Sequence, residues 1–310
     1  MSKGIIVLGM HRSGTSLVAN LAQLCGAYAG DESLLLQADS GNPAGYFEYR
    51  PLVNFNETLL ASAKATWIAP PLERDALILE RLADEPKYRE QALELIETME
   101  AGGDLWFWKD PRLAILLPFW KRIWRDVVYV IPVRNPLDTA LSLRKRNVFP
   151  VSASLLLWQR YMMSILTHTE DSADKLFVEY EEVIKNPVEE CKRLLLFISN
   201  NQEDDEALER KVDAVAEAVR PDLRRNKSGT SFFDLQQATA AQKSLYRFLK
   251  SKLNNPAESF NPDEFVEYSG WREYMLTLDM SRKLWGYVPD NKRLLAATEL
   301  ARTHREFFGA

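Results

Sequence analysis

Cysteine, histidine, excess positive charge and long apolar runs are all scarce in this sequence, and each scarcity excludes something. The two cysteines, Cys25 and Cys191, stand in apolar helical patterns without metal-ligand spacing, which argues against a disulfide framework and for buried, reduced thiols. The three histidines, His11, His168 and His304, leave few candidates for an imidazole base. His168 and His304 lie in polar helical contexts and are expected at the surface. A net charge of -5 leaves no basic excess for a broad nucleic-acid surface, so any cationic site must be a local pocket. No stretch approaches the roughly 20 apolar residues of a membrane span. The run Ile5 to Met10 is too short for the apolar part of an export signal and leads straight into His11 and Arg12. The expectation is a cytoplasmic protein without a transmembrane segment. Apolar and charged fractions of 46% and 27% are globular values and exclude a disordered or fibrous chain.

What is present is an alternation of strands and helices. "GIIVLGM" is a β-branched run that ends in a loop, and the following residues place Leu17, Leu21, Leu24 and Cys25 at helical period before Gly26 stops them. Three more apolar runs read as buried strands: "LWFW" at 105–108, "VVYVIPV" at 127–133 and "KLFVEY" at 175–180. Asn135 before Pro136 and Asn186 before Pro187 each set a capping side chain ahead of a proline suited to a first helical turn. The pattern predicts an α/β fold of three layers, a mostly parallel central sheet with helices on both faces. Residues 27–104 and 231–310 show helical patterns without strand alternation. They are expected to be elaborations of a single domain, 1–310, that surround a pocket on the sheet.

The loop itself is "HRSGTS". Gly9 and Gly14 have the spacing of a nucleoside-triphosphate loop, but Thr15 occupies the position of its lysine. A turn from strand to helix aims backbone N–H groups and the positive end of the helix dipole at one point, and Arg12, Ser13, Thr15 and Ser16 add donors, so the loop suits an anion. The absent lysine weakens a kinase reading. A second anion site is predicted at Arg134, on the carboxyl end of a strand, with Ser142 two helical turns later. Two separated phosphate sites suit a nucleotide phosphorylated at two places. Arg144, Lys145 and Arg146 read as a solvated helix end.

The segments "HRSGTS", "WKDPR…LLPFW", "VIPVRNPLDTALS", "VEYEEVIKNP" and "DLRRNK" follow one another as in the sulfotransferases that use 3′-phosphoadenosine 5′-phosphosulfate (PAPS), and over residues 4 to 230 the chain resembles the carbohydrate-type bacterial members of that P-loop-like family. The resemblance implies PAPS as co-substrate, no metal requirement and a glycan or glycoconjugate acceptor. It places the 5′-phosphosulfate on the loop, with Arg12, Ser13, Gly14, Thr15 and Ser16, and the 3′-phosphate on Arg134 and Ser142. Arg225 corresponds to a basic loop over the same phosphate, with Arg224 and Lys227 as alternatives. Tyr180 corresponds to a position near the adenine, or is a strand-end core aromatic. Lys109 matches a lysine that contacts the sulfuryl group, and Arg12 stands where members carry a cation beside it.

Members acting on phenols and steroids carry a histidine base where this chain has Pro111. His11, in the loop where many members have proline, is then expected to be a neutral donor to substrate or phosphate, and so a cofactor-binding candidate rather than the base. The base implied by the resemblance is Glu48, in "GNPAGYFEYRPLVNFNE", with Asp110 as second choice. Two other readings stand beside the sulfotransferase: a P-loop kinase in which Asp110 holds magnesium, and a nucleotide-binding module without catalysis.

Overall fold

The computed structural model describes residues 2–38, 45–71, 75–147, 149–198, 212, 229 and 231–265. In chain order the elements are β1 (Lys3–Val7), α1 (Thr15–Leu24), α2 (Arg50–Ser62), α3 (Ala76–Leu82), α4 (Pro86–Ala101), β2 (Leu105–Lys109), α5 (Leu113–Trp120), β3 (Val127–Val133), α6 (Pro136–Asn147), α7 (Val151–Thr169), β4 (Lys175–Glu179), α8 (Tyr180–Lys185), α9 (Pro187–Ile198) and α10 (Ala240–Lys252). All four expected strands form. The first ends at Val7, short of Met10, and the last ends at Glu179 because Tyr180 opens α8.

The strands make one parallel sheet in the order β2-β1-β3-β4. Ile5 lies opposite Phe107 on one side and Val128 on the other, which fixes the register. Strand side chains alternate between faces, so the apolar runs split into two cores. Ile6, Trp106, Trp108, Tyr129, Ile131 and Phe177 join the larger core, with residues of α2, α5 and α7. Ile5, Val7, Phe107, Val128, Val130 and Leu176 face the smaller one, against Val18 and Leu21 of α1 and Leu194 of α9. A sheet covered on both faces needs strands that are apolar throughout, and this is why none of the four shows polar alternation.

Local sequence explains most boundaries. Asn135 Oδ1 accepts from the Leu137 N–H at 2.9 Å and caps α6 as expected. The Asn186 amide instead donates to Glu182 Oε2 at 2.7 Å, a bond back into α8. α5 has no polar face because all eight of its residues are buried. Residues 27–104 are helical in α2, α3 and α4, but Tyr28 also bridges to the outer edge of β2, donating to Leu105 O at 2.9 Å and accepting from Phe107 N at 3.0 Å. That backbone pairing has no side-chain period to announce it.

Two expectations for single side chains change. His168 is half-buried rather than superficial, and burial, followed by Lys121 and Arg160, pushes its pKa down to about 4. Arg146 departs from the solvated run, with its guanidinium 5.9 Å from the centre of the Trp67 ring, while Arg144 and Lys145 are exposed. His304 lies outside the described residues. Cys25 and Cys191 are buried as expected, and the fold brings their sulfurs to 3.6 Å. Among the described residues, no helix is long and apolar enough to cross a membrane.

The strand order positions the site. From β1 the chain moves to one side for β2, then crosses to the other side for β3 and β4. The crevice of such a sheet opens where the connections diverge, at the carboxyl ends of β1 and β3. The loop after β1 and Arg134 after β3 both lie there.

Candidate active site

The loop between β1 and α1 is shaped by two residues in the left-handed region, Arg12 at φ 71° and Gly14 at φ 98°. Gly14 is required twice over, since a Cβ there would lie 2.4 Å from the Tyr180 ring. Ser13 is buried and its hydroxyl donates to Met10 O at 2.7 Å, so it holds the turn closed. Thr15 is buried and Ser16 half-buried at the start of α1, whose first N–H groups have no partner within the helix.

The two anion sites expected from sequence are joined. Arg12 Nε donates to Ser142 Oγ at 2.8 Å, and Arg134 donates to the Arg12 carbonyl oxygen at 2.7 Å. Arg134 also stacks over Tyr180, 4.2 Å from the ring centre. Tyr180 thus wedges between Gly14 and Arg134 and fixes the cation against the loop. Arg12 reaches toward Ser142, across the β1–β3 crevice. Arg225, with Arg224 and Lys227, lies outside the described residues.

The second half of the site stands at the end of β2. Lys109 is buried and donates to Glu48 Oε1 at 2.5 Å and to Tyr46 O at 2.9 Å. Glu48 is itself buried and lies just before α2, where Phe47 at φ 56° turns the chain. A buried ion pair of this kind survives only when both charges are satisfied, and Arg112 lies 4.0 Å from the other Glu48 oxygen.

Asp110 and Arg112 form the support. Asp110 is fully buried and its carboxylate accepts from Arg112 N at 3.0 Å, Arg112 Nη1 at 2.8 Å and Asn56 Nδ2 at 2.8 Å. Trp120 in turn donates to Asn56 at 2.9 Å. Arg112 also binds Glu57 at 2.5 Å. Burial alone would lower the Arg112 pKa, but Asp110 and Glu57 outweigh it and raise it. Arg112 within "WKDPR" and Asn56 within "GNPAGYFEYRPLVNFNE" had no role assigned from sequence, and nothing in the sequence singled out Trp67. The signal for Arg112 was its position two residues after a buried acid, the spacing that lets one carboxylate take both a backbone and a side-chain bond.

His11 turns to this side of the loop. It is buried, 4.5 Å from the Trp67 ring and 6.4 Å from that of Tyr161. Tyr161 donates to the Trp67 carbonyl at 3.0 Å and so fixes the wall. Burial first, then Arg112, Arg146, Lys109 and Arg12, hold the His11 pKa well below its usual value, so the imidazole is neutral. The site is therefore a buried carboxylate paired with a lysine and, across the loop, a set of cationic and N–H donors. Among the described residues, no group of three or more His, Cys, Asp and Glu side chains could hold a metal ion.

The sulfotransferase domain of the Synechococcus PCC 7002 olefin synthase aligns over 81% of this chain and 94% of its own, at 16% identity and TM-score 0.43. A sulfotransferase from Alicyclobacillus acidocaldarius aligns over 88% and 99%, at 11% identity and TM-score 0.36. Retinol dehydratase, solved with androsterone and the inactive cofactor PAP, aligns over 86% and 82%, at 14% identity and TM-score 0.37. No curated protein sequence matches significantly. The sequence profile of the sulfotransferase family matches residues 4–204, well over half of the 310, and the chain belongs to that family.

Proposed function

We propose that this enzyme transfers the sulfuryl group of PAPS to an acceptor hydroxyl of a carbohydrate or glycoconjugate, without a metal. The observation that carries the reading is the meeting, at the carboxyl ends of β1, β2 and β3, of a donor-rich loop fastened to Arg134 and Ser142 and a buried Lys109–Glu48 pair. The donor set fits a nucleotide with phosphates at two positions. Arg134 offers a planar fork and Ser142 a hydroxyl to a 3′-phosphate, and the loop amides with Ser16 take the 5′ end. Solved relatives include one with PAP bound.

When bound, PAPS supplies an activated sulfuryl group whose bond to the 5′-phosphate oxygen breaks as a bond to the acceptor oxygen forms. Glu48 takes the acceptor proton. Lys109, held within reach by the same carboxylate, stabilises the negative charge that gathers on the sulfuryl oxygens, and Arg12 does so from the loop. Asp110, with three donors already on its carboxylate, acts by orienting Arg112 rather than as the base. A carboxylate base in place of the imidazole of the phenol-type members supports the carbohydrate class, since Pro111 follows Asp110 where they carry histidine.

Calorimetry with PAP, PAPS and ATP tests the nucleotide. PAP is expected to bind tightly and ATP weakly, and equal affinity for both would overturn the assignment of Arg134 and Ser142. An acceptor screen with labelled PAPS, read by mass spectrometry, tests the transfer. A sulfated glycan is the expected product, and phosphorylation of an acceptor by ATP would turn the reading to a kinase.

A further inference from the structure

The loop after β1 has one side chain that nothing in the fold explains. His11 is 8% exposed, and its Nε2 has no hydrogen-bond partner. A buried polar atom in that state is destabilising, and a packing role would be met as well by an apolar side chain. Its ring is fixed by Trp67, 4.5 Å away, and Tyr161, so the nitrogen cannot swing out to water without undoing that packing.

The surroundings say what would satisfy it. Arg12 follows it in the chain, and Lys109, Arg112 and Arg146 act on it from β2, the start of α5 and α6. Glu48, Asp110 and Glu57 are bound to two of these cations, Lys109 and Arg112. A neutral hydroxyl gains little from such a field, whereas an anion gains from every member of it. Burial first, and then this field, keep the imidazole neutral, so one ring nitrogen carries a proton for donation. Arg12 is held by Ser142, and Arg134 by the Arg12 carbonyl, while the His11 ring packs on Trp67 and Tyr161.

We infer that His11 Nε2–H donates a hydrogen bond to the sulfuryl end of PAPS, so that this side chain distinguishes the loaded donor from the spent nucleotide PAP. The inference rests on the proposed use of PAPS. It makes His11 a specificity residue of the loop after β1.

Calorimetric titration of PAPS and of PAP into wild type, His11→Ala, His11→Asn and His11→Gln tests it without any acceptor. His11→Ala should lower PAPS affinity about tenfold or more, the effect of a hydrogen bond to a charged group, and leave PAP affinity within about twofold. His11→Gln, whose amide reaches the place of Nε2, should keep most of the PAPS affinity. His11→Asn, which reaches only the place of Nδ1, should not. Arg134→Ala should weaken both nucleotides and serves as the contrast. Equal losses for PAPS and PAP, or no loss for either, would overturn the inference while leaving PAPS use intact. Wild type binding neither nucleotide would overturn both. If His11→Ala does not fold, the Gln and Asn variants decide, with PAP binding as evidence of an intact site.

Discussion

Replacing Glu48 by Gln separates basicity from shape. The side chain is buried, its Oε1 accepts from Lys109 at 2.5 Å, and Arg112 stands 4.0 Å from Oε2. An amide can keep the oxygen facing Lys109 but cannot take a proton from an acceptor hydroxyl. With the acceptor found by the screen and saturating PAPS, kcat should fall roughly 10² to 10⁴ fold, the contribution of a positioned base. At about 1.36 kcal/mol per factor of ten, that is about 3–5 kcal/mol of barrier. PAP affinity should stay the same, because Arg134 and Ser142 are bonded through Arg12, whereas Glu48 is bonded to Lys109 and Arg112. Stability should fall by about 1–3 kcal/mol, since Lys109 loses its counter-charge but keeps two oxygen acceptors, Tyr46 O and the amide. Asp110→Asn is the control. Its carboxylate serves donors from both Arg112 and Asn56, and an NH₂ group must face one of them, so about 3–5 kcal/mol of stability should go, with the rate falling as Arg112 loosens. Initial rates, PAP calorimetry and thermal melting on the same preparations separate these effects. A Glu48→Gln enzyme that turns over normally refutes the assignment, and an Asp110→Asn enzyme that is inactive yet melts like wild type would move the base to Asp110.

Arg134→Ala should weaken PAP binding by about 2–4 kcal/mol, the cost of removing one partner of a desolvated charge pair; an unchanged affinity would remove the 3′-phosphate assignment. Turnover should survive EDTA, because Lys109, Arg12 and the loop amides supply the positive charge, and an absolute need for magnesium would count against the mechanism. For pH dependence, His168 is held at a pKa of about 4 in the fold against an ordinary 6.5, so the unfolded chain takes up its proton first as pH falls. Its share of stability is intact above about pH 6.5 and is lost toward pH 4, on the order of 1–3 kcal/mol, so His168→Gln should melt with a flatter dependence over that window than wild type, as followed by circular dichroism.

The four strands, the parallel sheet and the loop with its donors were all legible in the sequence, because a strand buried on both faces must be apolar throughout and a phosphate-type turn must place glycine where φ is positive. Gly14 was readable for that reason, and Arg134 because it ends such a strand. The strand order was not legible, nor the Tyr28 bridge, since backbone pairing carries no side-chain period. Glu48 was pointed to only by resemblance. Its contact with Lys109, 61 residues later in the chain, exists because α2 packs against α5 beside the end of β2. The same holds for Asp110, which sequence could offer as a base and which the fold surrounds with Arg112 and Asn56. Burial and hydrogen-bond partners decide what a carboxylate does, and both are set by segments far apart in the chain. His11 shows the limit most clearly: its residue type was visible as a departure within the loop, but the unmet nitrogen and the cations around it exist only once β2, α6 and α7 have closed over it.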